Sequence, residues 1–524
     1  MRKRSRTLWL IVLSTALIVF AGGVAPADTC APVNWPMGGF DYSGNRSNPY
    51  ETAISPSNAA DLAVKWTFTT HGDVSANPAV DDGVVYFPDW GGYLNAVDAS
   101  TGQLVWQTKI SGYTGISGDF SRTSPAVSDG VVYVGDYNGG QLLAINAYTG
   151  ALLWKSTIDS SGESLQTQSP IVYGGIVYEG VSSTEAVLAS NPSYPCCTHR
   201  GSITATLAGT GQLLWRTYTV PSNGGEPGGY SGGAIWGGTP TLDPATGTLY
   251  VSTGQNYTIP ASATACENTG APASQCLSPG DHIDSVIALN MYTGQVKWAN
   301  GAGQYDTWNL ACVEGSPTNC PPDAGHDYDF SDGTHLFSIT GPHGLPEQVV
   351  GAGSKSGTYW LFNATTGSLV WSTNIGPGSD SGGILWGTSY DGTRIYAAES
   401  DNAHQTVDLP GGATTTNSAF AALNPQTGAI EWEVPDPTGA AGQGAAWGAV
   451  TSADGVMFAS DSAGYMYAID GATGQILWSY KAPFAVNAGA TIVNGNVYWG
   501  DGYSEMATGS TTTGTFYDFS INGK

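Results

Sequence analysis

The sequence predicts an all-β protein whose strands form one eight-bladed β-propeller, and three observations support this prediction. The element Thr-Gly-x-x-x-Trp occurs seven times along the chain. Runs of β-branched and aromatic residues, such as 83–86 and 130–133, alternate with glycine-rich turns, which is typical of antiparallel strands joined by tight hairpins. A strand-like segment carries an eighth tryptophan, Trp66, without a preceding Thr-Gly. Repeated units made only of short strands are typical of propeller blades.

The number of blades follows from the tryptophans that end the motif. The seven copies end at Trp106, Trp154, Trp215, Trp298, Trp371, Trp432 and Trp478. The C-terminal segments 488–493, 495–498 and 513–521 have strand character but no Thr-Gly-x-x-x-Trp of their own. We therefore expect the N-terminal strand with Trp66 to complete the last blade, which gives eight blades of about 60 residues each. The eight tryptophans are then structural and pack between neighbouring blades.

The N-terminal 27 residues are predicted to be a secretory signal peptide. Residues 2–6 contain four basic side chains, residues 8–20 are nearly all apolar, and residues 25–27 form a small-residue cleavage site. The apolar run is too short to span a bilayer, and no later segment approaches the required length. We expect residues 28–524 to be exported, to a periplasmic or extracellular space, as a single propeller domain without a membrane span.

The charge balance excludes one class of partner. The chain has 16 Lys+Arg against 42 Asp+Glu, a formal net charge of −26, and its only basic cluster lies in the N-terminal segment. Such a surface repels a phosphate backbone, so nucleic-acid binding is not expected. The same charge favours a basic soluble partner through electrostatic steering, although solvation alone also explains it.

Cysteine usage fits an oxidising compartment. The chain has seven cysteines. Cys266 with Cys276 and Cys312 with Cys320 are the simplest pairs for two short-loop disulfides of structural role, while Cys30 has no assigned partner. The sequence contains no Cys-x-x-Cys-His, so it carries no c-type haem site. If the protein handles electrons, they have to leave to another protein.

The spacing between copies of the motif is uneven and is largest in the middle of the chain. All cysteines other than Cys30 lie in the longer intervals. Because loops on a rigid scaffold carry function, we expect these insertions to build a pocket around the central axis on one face.

The most unusual dipeptide is Cys196-Cys197. Adjacent cysteines can form a disulfide only by distorting the peptide between them, a cost that is typical of functional sites. They could equally be paired elsewhere or reduced. With its context, residues 194–202 (Tyr-Pro-Cys-Cys-Thr-His-Arg-Gly-Ser), the chain resembles the quinoprotein alcohol dehydrogenases that bind pyrroloquinoline quinone (PQQ), most closely their polyvinyl-alcohol dehydrogenase branch. The resemblance runs from residues 45–50 to residues 486–490.

This resemblance implies an eight-bladed propeller that holds one PQQ between an indole and a vicinal disulfide. Trp236 matches the indole floor, and Cys196 and Cys197 match the lid; a flat quinone needs two flat apolar surfaces. The other implied cofactor contacts are Arg122 and Thr167 at the PQQ carboxylates, Lys355 beside the quinone oxygens, and Trp386.

The resemblance also implies a bound Ca²⁺ that coordinates the quinone. Glu185 and Asn256 match the carboxylate and amide ligands by position, and hard oxygen donors of this kind suit Ca²⁺. Without the resemblance, a lone Glu or Asn in a loop would be interpreted as a turn or surface residue.

The sequence departs from the family at the catalytic base. Where the methanol and ethanol dehydrogenases have Asp-x-Trp-Asp, this chain has residues 306–309, Asp-Thr-Trp-Asn. Asn309 cannot act as a general base at ordinary pH. Either a neighbouring carboxylate, Asp306 or Asp284, takes the role, or the mechanism differs, or the protein does not oxidise alcohols.

The function implied by the resemblance is a secreted, PQQ- and Ca²⁺-dependent dehydrogenase of secondary alcohols, with polyvinyl alcohol or a similar hydroxylated polymer as substrate. The electron acceptor would be a soluble protein such as a cytochrome c. Two alternatives stay open. One is a non-catalytic propeller that acts as a scaffold, because repeats alone do not show chemistry. The other is a quinoprotein for a different alcohol or a sugar, because specificity lies in the loops above the pocket.

Overall fold

Eight antiparallel sheets, each of four main strands, follow one another around a central axis in the computed structural model, which describes residues 33–313, 318–438, 444–507 and 509–524. The predicted signal peptide and Cys30 lie outside the described residues. The strands of blades 1 to 4 are, in order, Ala79–Asp81, Val84–Pro88, Tyr93–Asp98, Leu104–Lys109; Ala126–Ser128, Val131–Gly135, Gln141–Asn146, Leu152–Thr157; Ile171–Tyr173, Ile176–Ser183, Ser202–Leu207, Leu213–Tyr218; and Thr241–Asp243, Thr248–Ser252, Ser285–Asn290, Val296–Gly301.

Blades 5 to 8 complete the ring. Their strands are His335–Thr340, Pro346–Gly353, Thr358–Asn363, Leu369–Asn374; Ser389–Tyr390, Ile395–Ser400, Ala419–Leu423, Ile430–Pro435; Thr451–Ala453, Val456–Ser460, Tyr465–Asp470, Ile476–Lys481; and Thr491–Val493, Asn496–Gly500, Gly514–Ile521, Leu62–Thr70. The outer strand of blade 8 is thus the N-terminal strand Leu62–Thr70, which pairs with Gly514–Ile521. The prediction of eight blades, with the last closed by the N-terminal strand, is confirmed.

Short additional strands and helices lie in the loops of this ring. The additional strands are Ser47–Asn48, Ser164–Leu165, Ser231–Gly232, Asn256–Thr258, Gly383–Ile384, Val407–Asp408 and Thr414–Thr415. The helices are Ile110–Thr114, Glu185–Leu188, Ala261–Glu267 and Ala273–Cys276, with 3-10 turns at Ala59–Asp61 and Leu310–Cys312. In the described part of the chain, no helix is both long and apolar enough to cross a membrane.

The repeated motif forms the joint between successive blades. The indole N–H of Trp66, on the outer strand of blade 8, donates to the Ala99 carbonyl of blade 1 at 3.1 Å, and six further motif tryptophans make the same bond to the next blade at 2.7 to 3.2 Å. The glycine of each Thr-Gly lies against that indole: a Cβ on Gly102 would lie 2.7 Å from the Trp66 ring. The apolar core therefore lies between blades, as where Trp106 of blade 1 packs with Val132 of blade 2.

Blade 8 explains why the chain has eight such tryptophans and only seven Thr-Gly pairs. Its third and fourth strands come from the two ends of the chain, so no turn connects them. The outer-strand tryptophan of blade 7, Trp478, instead packs edge-on against Phe519 of blade 8, with ring centroids 5.1 Å apart. First strands of neighbouring blades contact one another and lie closest to the axis, so the segments leading into them surround the axial opening.

Candidate active site

A cavity of about 290 Å³ lies across the axis at one end of the propeller. Its lining comes from blades 2 to 8, which is possible only for a space on the axis. Two kinds of segment contribute. Residues such as Arg122, Trp236 and Trp386 lie shortly before the first strand of their blade, and residues such as Lys355 and Tyr503 follow the second strand. We call this space the axial cavity.

An indole forms one wall of the axial cavity. Trp236 donates its N–H to Oδ2 of Asp329 at 2.9 Å, and its backbone carbonyl accepts a hydrogen bond from Thr167 at 3.0 Å. Trp386 stands edge-on to it, with centroids 4.9 Å apart at 80°. Lys355 Nζ lies 5.2 Å from the centroid of Trp236. Fixed from several sides, the indole offers a flat apolar surface to a flat ligand.

The two adjacent cysteines form a disulfide, as do Cys266 with Cys276 and Cys312 with Cys320. The two short-loop pairs are thereby confirmed. Cys197 is buried in a small apolar cluster that also contains Tyr257 and against which Cys196 and Trp236 pack. The structure therefore brings the predicted lid and the predicted floor into one cluster beside the axial cavity.

Glu185 anchors the segment that carries this disulfide. Its buried carboxylate accepts hydrogen bonds from the backbone N–H groups of Thr198 (2.8 Å) and His199 (2.6 Å), and from the hydroxyls of Tyr194 (2.8 Å) and Thr198 (3.1 Å). Both oxygens have two or more donors. A carboxylate satisfied in this way holds the loop in place and has no need of a cation.

The predicted calcium site does not fit this geometry. Asn256 donates its amide N–H groups to the carbonyl of Ser231 (3.3 Å) and to Asp281 (3.1 Å), and its Oδ1 is buried without a partner. That oxygen could bind a cation, but Glu185 is already saturated. Among the described residues, no three His, Cys, Asp or Glu side chains are grouped so that they could hold a metal ion.

A lysine and two aspartates form the charged centre of the axial cavity. Lys355 Nζ lies 2.9 Å from Oδ2 of Asp327 and 3.1 Å from Oδ2 of Asp329. Although burial alone would lower the pKa of Lys355, the two carboxylates raise it, so the ammonium is retained. Burial raises the pKa of Asp327 well above its usual range, and Lys355 offsets only part of this effect. Asp327 lines the cavity, and its Oδ1 has no hydrogen-bond partner.

Asp327 and Asp329 were missed by the sequence reasoning. The available signal was the alternation in residues 326–330, His-Asp-Tyr-Asp-Phe, which places two carboxylates on the same side of an extended segment. The element at residues 306–309 lies closer to the family pattern. The loop closed by Cys312 and Cys320 separates the two elements.

The three predicted catalytic residues lie behind the cavity wall. None of Asp306, Asp284 and Asn309 is among the described residues that line the axial cavity. Asp306 accepts hydrogen bonds from the backbone N–H groups of Asp327 (3.0 Å) and Tyr328 (2.6 Å), so it positions the segment that carries the pocket carboxylate.

Asp284 and Asn309 have structural surroundings. Burial first, and then repulsion by Asp306, raises the pKa of Asp284 well above its usual range, which favours the neutral form of this carboxyl. Asn309 begins the 3-10 turn Leu310–Cys312: its Oδ1 accepts from the N–H of Ala311 at 3.1 Å. Its amide donates to the carbonyls of Tyr257 and Asn319. Both polar atoms of the Asn309 side chain are used, so this residue caps the turn, and its place in the catalytic set stays a prediction.

Arg122 is the second cation of the axial cavity. Its guanidinium lies over the rings of Trp386 (4.9 Å to the centroid), Trp90 (5.3 Å) and Tyr503 (5.4 Å). It donates to the Tyr503 hydroxyl at 2.9 Å and forms an ion pair with Glu505, which is 38% exposed. A buried guanidinium with fixed geometry is suited to bind a carboxylate of a ligand.

The fold and site define the chain as a β-propeller with a ligand cavity on its axis. The PQQ-repeat family model described as outer membrane protein assembly factor BamB matches residues 53–300 and 355–517, and the chain belongs to this family.

Similar proteins narrow the assignment. The chain is 27% identical to a polyvinylalcohol dehydrogenase of a Pseudomonas species (93% of this chain, 76% of that protein) and 29% identical to one of Sphingopyxis sp. strain 113P3 (95% and 78%). The solved structure of the quinohemoprotein alcohol dehydrogenase from Comamonas testosteroni superimposes with a TM-score of 0.71 at 22% identity, covering 94% of this chain and 81% of that one. These relatives are alcohol-oxidising dehydrogenases, and the predicted resemblance of the chain to the quinoprotein alcohol dehydrogenases is confirmed.

Proposed function

We propose that the chain is a PQQ-dependent dehydrogenase that oxidises secondary alcohols, with polyvinyl alcohol or a similar hydroxylated polymer as substrate. The observation that carries this proposal is the Lys355–Asp327 pair beside Trp236 in a cavity on the propeller axis. The relatives at 27% and 29% identity, both polyvinylalcohol dehydrogenases, support the choice of substrate.

The residues of the axial cavity fit the predicted cofactor. Trp236 offers the flat surface, Arg122 offers a guanidinium to a carboxylate, and Lys355 holds a permanent positive charge within the cavity. PQQ, when bound, supplies the two-electron acceptor to which the hydride of an alcohol can pass. The cation of Lys355 favours the negative charge that develops on reduction.

Asp327 is the buried carboxylate among the described lining residues of this cavity, and it can accept the hydroxyl proton. Oxidation of a secondary alcohol to a ketone removes a hydride from carbon and a proton from oxygen. Asp327 lines the axial cavity and its Oδ1 has no hydrogen-bond partner, so this carboxylate has the capacity to accept a proton from a hydroxyl in the cavity. We therefore assign the base to Asp327, with Asp306 as its positioning residue.

The remaining parts of the proposal concern cellular context. Export to the periplasm or beyond rests on the predicted signal peptide, residues 1–27. The absence of Cys-x-x-Cys-His from the sequence means that electrons leave to a separate acceptor, and a net charge of −26 favours a basic soluble protein such as a cytochrome c. Calcium stays a prediction without support from Glu185.

Reconstitution tests the proposal. Mature protein is titrated with PQQ, with and without Ca²⁺, while the quinone absorbance and the dye-linked oxidation of polyvinyl alcohol and small secondary alcohols are recorded. Stoichiometric uptake that Trp236→Ala reduces, together with alcohol turnover, is the expected result. Titrating Ca²⁺ against a chelator tests the metal separately.

The rival function is a non-catalytic scaffold, and the description of the matching family model favours it. A scaffold requires no buried lysine and arginine facing an axial cavity. No PQQ uptake by the full-length mature protein would leave the scaffold as the better proposal. Uptake with turnover of small alcohols or sugars but not of polymer would retain the quinoprotein and replace the substrate.

A further inference from the structure

A second, larger cavity adjoins the axial cavity. It has a volume of about 920 Å³, against about 290 Å³ for the axial cavity, and lies between the loops of blades 6 and 7 and the segment after the second strand of blade 8. Trp447 and Met506 line both spaces. These two side chains therefore form the boundary between the cavities. We call the larger one the side cavity.

The side cavity is separate from the residues that are predicted to bind the cofactor. Five of the predicted cofactor contacts line the axial cavity, and none of the predicted contacts lines the side cavity: the five are Arg122, Thr167, Trp236, Lys355 and Trp386. A volume of several hundred Å³ is typical of sites that enclose a sizeable organic ligand. The space therefore suits the part of a large substrate that does not react.

The lining combines apolar surface with hydrogen-bonding groups. Trp447, Tyr465 and Met506 supply apolar area, and Asn402 and Ser462 supply polar groups. A chain in which CH₂ groups alternate with carbinols needs both kinds of contact. A small primary alcohol does not need such alternating contacts.

One buried acceptor in the side cavity has no partner. Asp401 is 2% exposed; its Oδ1 accepts from the N–H of Gln405 at 3.0 Å, and its Oδ2 has no hydrogen-bond partner. A buried carboxylate oxygen without a donor is costly, and a hydroxyl of a ligand supplies the missing donor.

The charges of the side cavity favour a neutral ligand. One carboxylate, Asp401, and one ammonium, Lys481, are the full formal charges among its described lining residues. Lys481 donates to the carbonyl of Ala463 and lies 5.1 Å from the centroid of the Tyr465 ring, so it is held at the wall. Neither a polyanion nor a polycation is matched by this balance.

We propose that the side cavity binds the chain of a neutral hydroxylated polymer next to the carbinol that is oxidised in the axial cavity, with Asp401 accepting a hydrogen bond from one of its hydroxyls. This inference rests on the proposed function and specifies its substrate: the enzyme distinguishes polymer from small alcohol through a site outside the reacting centre. Binding energy from a part of the substrate that does not react can be used to favour the reaction at the reacting centre.

Two variants test the side cavity. Ala463→Trp fills it, and Asp401→Asn removes the orphan carboxylate while keeping the shape. In the PQQ-loaded enzyme we expect each to lower kcat/KM for polyvinyl alcohol by about tenfold or more, and to leave kcat/KM for butan-2-ol within about twofold. The matched control is Ala472→Trp, an exposed turn residue at the other end of the strand Tyr465–Asp470, which should change neither value.

Calorimetric titration with short polyvinyl alcohol oligomers, with and without PQQ, separates this inference from the proposed function. Oligomer binding that Ala463→Trp and Asp401→Asn weaken, and Ala472→Trp does not, supports the side cavity even if PQQ is not taken up. Equal losses on polymer and butan-2-ol, or unchanged polymer binding in both variants, would overturn it. Turnover of butan-2-ol without oligomer binding would overturn the side cavity and leave the dehydrogenase intact.

Discussion

Lys355 Nζ lies 2.9 Å from Oδ2 of Asp327, and both side chains are buried. The cation of the axial cavity thus lies directly beside the carboxylate that we propose as the general base. The same ammonium lies 3.1 Å from Asp329, so two carboxylates share one cation. Burial outweighs the cation and raises the pKa of Asp327. Asp327 therefore lies beside a permanent cation and exchanges its proton above the pH range that is ordinary for an aspartate.

Replacing Asp327 by Asn should remove the general base and keep the cavity. We expect kcat for alcohol oxidation to fall by about 10²- to 10⁴-fold while PQQ uptake changes little. In the wild-type enzyme, kcat/KM should rise with pH, because the base is active only when deprotonated and its pKa is raised. Dye-linked assays over a pH series measure both effects.

The residues first suggested by the sequence serve as controls. Asp284→Asn should leave the activity within a fewfold of wild type, because that carboxyl does not line the axial cavity and burial raises its pKa, which favours its neutral form. Adding Asn309→Asp to the Asp327→Asn variant should not restore activity, because position 309 caps a turn. Restoration by this second change would show that the base belongs at position 309.

Glu505 competes with any ligand carboxylate for Arg122. The two side chains form an ion pair at the cavity edge. Glu505→Gln should free the guanidinium and lower the Kd for PQQ by about 3- to 10-fold, whereas Arg122→Gln should raise it by about 10-fold or more. Fluorescence titration with PQQ measures both.

The pair Arg394 and Glu431 provides the matched control for Glu505. These side chains form a partly exposed ion pair on blade 6, and neither is among the lining residues of the axial cavity. Glu431→Gln should therefore leave the Kd for PQQ unchanged. Weaker PQQ binding in Glu505→Gln would mean that Glu505 supports the cofactor site instead of competing with it.

The fold could be predicted from the sequence because the residues that join neighbouring blades belong to a repeated motif. Thr-Gly and Trp recur since each glycine must lie against the indole of the preceding blade, and the isolated Trp66 indicated how the ring closes. Four of the predicted cofactor contacts lie shortly before the first strand of a blade, and the resemblance could supply them: Arg122, Thr167, Trp236 and Trp386.

The proposed general base and the cavity charges could not be predicted in the same way. The loop closed by Cys312 and Cys320 separates Trp308 from Asp327, so the familiar local pattern no longer contains the carboxylate that faces the cavity. The pairing of Arg122 with Glu505 joins positions 383 residues apart. Such contacts depend on loop conformation and leave no periodic signal in the sequence.

Gly102 should tolerate no side chain, because both its conformation and its surroundings exclude one. Its φ is +71°, and a Cβ would lie 2.7 Å from the Trp66 ring. Gly83 has a similar φ of +77° but no atom within 4 Å of a Cβ, so Gly83→Ala measures the conformational cost alone. We expect Gly102→Ala to cost about 1 to 3 kcal/mol more than Gly83→Ala in urea unfolding, since the ring must move. Equal costs would show that the indole is free to shift.

Buried carboxyls should make the propeller less stable as the pH rises. Burial raises the pKa of Asp136 and of Asp518 to about 8, and Lys65, 4.0 Å from Asp518, offsets only part of the effect. Between about pH 4, where an unfolded aspartate ionises, and about pH 8, the folded state keeps protons that the unfolded state has lost. The free energy of unfolding therefore decreases with pH over this window, by up to about 1.4 kcal/mol per pH unit for each such group.

Calorimetry should give a higher Tm at about pH 5 than at about pH 8.5. The two buried oxygens of Asp518 have no hydrogen-bond partner, so Asp518→Asn should flatten this dependence, and a steeper one would contradict the assignment.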